Sequence, residues 1–225
     1  MDIANFKLRI AKVKFFQFSF CILPFALLVL SGCVAFQVGG EVERGRAQLM
    51  FGDPKIALTH FQRAAELDPA YRYDFSILDQ GIWTYVGRAH YVSGRLPEAR
   101  QALERALSRY GQDHMARLYL GMVLARDGDR QKGLKEIGGA LTGLGDWFDH
   151  LDRYHPDAHY WDPGKQTRAE IQRGLAMVSG KEPNLQELIA RGEWLGKVME
   201  EEIDLAERQK RFEETRAGDD DSDPN

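Results

Sequence analysis

From about residue 40 onward, apolar positions recur at the three- and four-residue spacing of helices rather than the two-residue spacing of strands. Within that stretch the chain repeats itself. Ala57, Phe61 and Ala64 follow the same offsets as Ala99, Leu103 and Ala106, and each trio falls on one helical face. A glycine stands twelve residues before each leading alanine, Gly45 and Gly87. A third copy carries Gly121, Gly133, Ile137 and Ala140 at the matching places, with Gly121 placed 34 residues after Gly87. This spacing predicts three helix pairs, in units 38–71, 80–113 and 114–147, with an insertion from Arg72 to Asp79 after the first. Gly52-Asp53-Pro54, Gly94-Arg95-Leu96-Pro97 and Asp127-Gly128-Asp129 read as the turns within the pairs, the prolines suiting the first turn of a second helix. Small residues let paired helices approach, and Phe61, Leu103 and Ile137 are expected to fill the seams. Gly133 stands where the other copies have alanine, and on propensity alone it should loosen its helix by about 1 kcal/mol.

Beyond the repeats, Gln166 to Ser179 reads as a helix stopped by Gly180 and Pro183, and Leu185 to about Arg216 as a longer one. Leu185, Leu188, Ile189, Leu195, Val198, Met199 and Ile203 form its apolar stripe. The expectation is that this stripe docks on the repeats, that Glu200 to Arg211 is solvated and charge-paired, and that the far end projects. The segment 217–225, closing on Asp219 to Asn225 with its four Asp, is expected to be a disordered acidic tail.

The repeat resembles the tetratricopeptide repeat, a 34-residue pair of helices. The match rests on Gly45, Ala57, Phe61, Ala64 and Pro69 in the first copy, on Trp83, Gly87, Ala99, Leu103 and Ala106 in the second, and on Leu120-Gly121 in the third. The resemblance implies an all-α solenoid of about three helical hairpins with C-terminal capping helices. It further implies a concave groove lined by the first helix of each unit. The matching places are Val42, Arg46, Leu49 and Met50, then Thr84, Arg88, Tyr91 and Val92, then Met115, Leu118, Met122 and Arg126. Arg46 and Arg88 hold equivalent positions and could clamp a carboxylate or an acidic segment. The alternative is that these residues contact a neighbouring helix, or the C-terminal region folded back into the groove. The family's chaperone-tail clamp wants Asn where this chain has Arg46, Arg88 and Met122, so that particular activity is not carried over.

Residues 148–165, with Trp147 before them, concentrate aromatic and histidine residues. His150, His155 and His159, with Asp157 or Asp162, are weak candidates for a metal site, because Pro156 and Pro163 interrupt any helix that would align them and no HExxH is present. The competing expectation is a compact loop in which Trp147, Phe148, Tyr154, Tyr160 and Trp161 cap the open end of the repeats. Tyr71 to Phe75 invites the same interpretation.

The amino-terminal end has a different character. Met1 to Lys14 carries four bases and one acid, and Phe15 to Leu30 carries no charge, the layout of a secretory signal. Sixteen residues interrupted by Gln17, Ser19 and Pro24 fall short of the roughly 20 that a spanning helix needs. Leu30-Ser31-Gly32-Cys33 resembles the bacterial lipobox. That resemblance implies a signal at 1–32, a mature chain starting at an acylated Cys33, and a linker over 33–37. It also implies anchoring in the cell envelope by two or more acyl chains, and Val34 in place of Asp points to the outer membrane. Removing that segment takes away four bases and one acid, so 30 bases and 34 acids become 26 and 33, a net charge of −7. A chain this acidic gives no electrostatic footing to nucleic acid. Cys21 leaves with the signal and Cys33 is lipidated, so no thiol remains for catalysis or for a metal.

Enzyme signatures are lacking: there is no GxSxG, no P-loop and no dinucleotide fingerprint, and no cofactor is expected. The sequence therefore predicts a membrane-anchored interaction scaffold that takes another envelope protein or peptide in its groove. The alternative is a metal- or small-ligand-binding protein using residues 150–162. A homodimer through a repeat edge or the long C-terminal helix is a third expectation.

Overall fold

The computed structural model describes residues 34–73 and 78–220. Helix α1 spans 34–51, followed by α2 (Pro54–Leu67), a two-stranded antiparallel ribbon of β1 (Arg72–Tyr73) and β2 (Gln80–Gly81), α3 (Ile82–Val92), α4 (Leu96–Arg109), α5 (His114–Arg126) and α6 (Arg130–Tyr154). A 3₁₀ turn (Pro156–Tyr160), α7 (Gln166–Val178) and α8 (Leu185–Asp220) complete the chain. Among the described residues no helix is long and apolar enough to cross a membrane.

Helices α1 to α6 form three hairpins, and the seams between their helices follow from side-chain size. A Cβ on Gly87 would lie 2.5 Å from Leu103 Cγ, and one on Gly121 would lie 2.7 Å from the backbone nitrogen of Ile137. Phe61, Leu103 and Ile137 are buried against these glycines and against Gly45. Capping fixes the starts of the second helices: Asp53 accepts from Lys55 N at 2.7 Å and Asp129 from Lys132 N at 3.2 Å. Gly94 and Gly128 take φ of +74° and +96° in the turns, a backbone region closed to most side chains. Asp113 ties two units together, accepting from Ala116 N at the start of α5, from Gly81 N and from the Thr84 hydroxyl. Thr84 is thus spent on packing between units.

Several expectations are corrected. The predicted linker over 33–37 does not hold for its described part, because α1 is already helical at residue 34. Gly133 is a packing requirement rather than a weakness, since a Cβ there would come within 2.8 Å of the backbone nitrogen of Ala125. The third unit does not end at 147: α6 continues to Tyr154 because Phe148 and Leu151 prolong its buried face and Pro156 stops it. The aromatic connection packs as expected at Phe148, Tyr160 and Trp161, with the rings of Trp147 and Trp161 5.2 Å apart, whereas Tyr154 points to solvent. Helix α8 runs through Asp220, so residues 217–220 of the expected tail are helical, and 221–225 lie outside the described residues together with the signal segment and Cys33.

Candidate functional site

The first helices α1, α3 and α5 line a groove, and α8 lies in it. Leu188, Leu195, Met199, Ile203 and Ala206 are its buried stripe. Two glycines allow the approach: a Cβ on Gly192 would lie 2.6 Å from Met122 Sδ, and one on Gly196 would run into the Tyr119 ring. A glycine in mid-helix costs about 1 kcal/mol relative to alanine, a cost offset here by contact with α5. Because α3, α4, α6 and α8 surround it, α5 buries nearly all of its length, and Met115, Leu118 and Met122 are fully buried.

At the centre of the groove one carboxylate bridges two repeats. Glu200 accepts from Arg46 Nε at 2.7 Å through one oxygen and from Arg88 Nη1 through the other. All three side chains are 1–2% exposed. Arg46 also donates to the Tyr73 hydroxyl at 2.8 Å and to Asp204 at 2.8 Å, and its guanidinium lies over the Tyr73 ring. Tyr73 in turn donates to Glu207 at 2.9 Å. Arg88 donates to Gln80 Oε1 at 3.0 Å and to the carbonyl of Gly196 at 2.9 Å. Burial pushes the Glu200 carboxyl up, but the charges of Arg88 and Arg46 override it and hold the group below the usual carboxylate range. Burial likewise opposes the arginine charges, and Glu200 outweighs it for both.

The equivalent arginines hold a carboxylate of the same chain, which is the alternative in which the C-terminal region folds back into the groove. The expectation that Glu200 is solvated is overturned: it is the most buried acid of its run, facing inward among Gly196, Met199 and Ile203. Of the other groove residues, Val42 is buried in the repeat core, and Leu49 and Met50 are half-buried. Tyr91 is buried with its hydroxyl 2.7 Å from Glu193, which also accepts from Arg126. A cleft of about 430 Å³ stays open beside α8; its apolar floor is Leu49, Met50, Tyr91 and Val92, and its rim carries Arg126, Lys197 and Glu193. Val92 is 53% exposed there.

The histidine candidates do not converge. The His150 ring packs on Tyr154, His155 Nδ1 caps Asp157 N at 3.3 Å, and His159 Nδ1 lies 3.0 Å from the Pro156 carbonyl. Among the described residues no three His, Cys, Asp or Glu side chains are grouped to hold a metal ion. Asp157 pairs instead with Lys210, and Tyr160 with Glu213, so the connection grips the far half of α8.

Sequence reasoning missed Glu200, Gln80 and Tyr73 as groove residues. Two signals pointed to them: paired arginines in equivalent places require an anion, and the Gly192/Gly196 spacing marks a helix face that touches another backbone. Residues 87–137, which run from the Gly87 seam to Ile137, match the family model described as Tetratricopeptide repeat. No curated protein and no solved structure matches the chain. The architecture is thus an all-α solenoid of tetratricopeptide-type hairpins, a fold used for protein–protein contact, with its own C-terminal helix seated in the groove.

Proposed function

We propose that the protein is a lipid-anchored envelope scaffold, acylated at Cys33 after removal of residues 1–32, and held at the outer membrane. The observation that carries this reading is the order of the chain: a charge-free run, then Leu30-Ser31-Gly32-Cys33, then a helical solenoid beginning at once. Binding rather than catalysis fits a repeat stack with no enzyme signature. With Arg46 and Arg88 engaged by Glu200, the surface we assign to a protein partner is the cleft over Leu49, Met50, Tyr91 and Val92. Its apolar floor suits an apolar side chain of a partner, while its rim sets Arg126 and Lys197 beside Glu193, which pairs with Arg126, and so selects neither charge strongly.

Two measurements test this. Intact-mass and peptide analysis of membrane-extracted protein should find a mature chain starting at acylated Cys33, and a Cys33→Ala variant should lose that modification and leave the membrane fraction. Crosslinking in intact cells should recover one envelope protein with the natural chain and lose it with Val92→Asp. An unmodified, unprocessed chain contradicts the anchor, and identical capture by both forms contradicts the cleft.

A further inference from the structure

The first described turn of α1 stands outside the packed core. Residues 34–37 are all exposed and carry no charge, and the core begins only at Val38, which is 1% exposed. Phe36 is the most exposed of the large apolar side chains described, at 84%, and Val34 beside it is 40% exposed. Among the described residues none covers this turn. A single exposed apolar side chain is ordinary, but Val34, Ala35 and Phe36 lie together in one uncharged turn.

The chain itself indicates which neighbour. Cys33 is bonded to Val34, so its Cα is about 3.8 Å from that of the first described residue. From Val34 to Val38 the helix rises only about 6 Å. A flexible linker of twenty residues would let a domain wander by about 25 Å, whereas here helix follows the anchor without a linker. Acyl chains on Cys33 would therefore hold the first turn of α1 at the depth of the headgroups.

We propose that Val34, Ala35 and Phe36 form a membrane-dipping foot that enters the bilayer surface and fixes the orientation of the solenoid on it. This rests on the lipoprotein reading and goes beyond it, since an acylated chain could equally carry its domain clear of the surface. The occupant is a neutral lipid interface. Arg208 and Arg211 share a cleft with Gly39, one turn above Phe36, but Glu43, Asp204 and Glu207 line the same cleft and cancel its attraction for anionic headgroups. Insertion is consequently apolar and independent of anionic lipid.

The test uses the full lipidated protein with Ala35→Cys, reconstituted in phosphatidylcholine vesicles. Cys33 is acylated and Cys21 has been removed, which leaves Cys at 35 as the one thiol for a nitroxide. A Ser108→Cys label on the exposed face of α4 serves as the aqueous reference. The expected result is a label at 35 reached by oxygen and shielded from a water-soluble nickel complex, the reverse of the label at 108. Adding Phe36→Asp should raise nickel access at 35 several-fold toward the value at 108. Equal nickel access at 35 and 108 in protein whose Cys33 acylation is verified by mass overturns the foot and leaves the anchor standing. Absence of acyl mass on Cys33 overturns both. Spin–spin broadening at 35 that grows with the protein-to-lipid ratio overturns it in favour of a second copy covering the turn.

Discussion

Replacing Glu200 with alanine removes the one carboxylate shared by two buried arginines, and the structure says how the loss is divided. Arg46 retains Asp204, Glu43 and Tyr73, three of its four side-chain partners. Arg88 keeps only neutral groups, Gln80 and the Gly196 carbonyl, and Glu200 is its sole ion-pair partner among the described residues. Breaking a buried pair by removing one partner costs about 3–5 kcal/mol, because the survivor is left charged and out of water. Most of that cost falls on Arg88. Against a domain stability of about 5–15 kcal/mol this is a large fraction. Urea unfolding at neutral pH should show the midpoint falling sharply for Glu200→Ala. A cycle with Arg88→Ala should give a coupling of about 2 kcal/mol or more. Replacing both Glu200 and Arg88 by methionine should cost much less than Glu200→Ala, since no lone charge remains buried. A loss below about 1 kcal/mol for Glu200→Ala, the size seen for exposed pairs, would refute the claim that the carboxylate is locked between the repeats.

Other consequences follow from the same geometry. The folded-state pKa of Glu200 lies below its unfolded value, so its contribution is present above about pH 4.3 and is lost as pH falls through the folded value. The stability advantage of the natural chain over Glu200→Gln should thus be full at pH 7 and shrink in acid, and an advantage that grows on acidification would contradict the sign. Gly133→Ala should lower the melting temperature despite the better helix propensity of alanine, because the new methyl meets the Ala125 backbone, an overpacking cost of about 1–3 kcal/mol. The Tyr85 hydroxyl is buried and, among the described residues, has no hydrogen-bond partner, so Tyr85→Phe should leave the melting temperature unchanged or raise it; a marked drop would show that the hydroxyl is satisfied.

The repeat was legible in the sequence because its determinants are local. Gly45 with Phe61, Gly87 with Leu103, and Gly121 with Ile137 lie within a single hairpin, sixteen residues apart each time, and recur. Turn chemistry at Asp53, Gly94 and Gly128 is local in the same sense. That the C-terminal region could fold back into the groove stood as an open alternative, but the pairing residue was not legible, because Glu200 pairs with residues 154 and 112 positions away. In sequence it is one acid in a run of charged residues that reads as a solvated face. Only the three-dimensional course of α8 shows that Glu200 lies beside the apolar stripe, between Gly196 and Ile203. The histidine cluster failed for a related reason: proximity in sequence is not convergence in space, and His150, His155 and His159 each engage a local partner on α6 or the 3₁₀ turn.

The central claim is that α8 is a fixed occupant of the groove, and amide hydrogen exchange tests it directly. On the natural protein at neutral pH, amides from Gly192 to Ala206 should exchange as slowly as those of α3 and α5, and Glu200→Ala should speed them by orders of magnitude while α3 and α5 change less. Rapid exchange across 192–206 in the natural protein, at the rate of the helix beyond Arg211, would contradict the account and show the groove to be open.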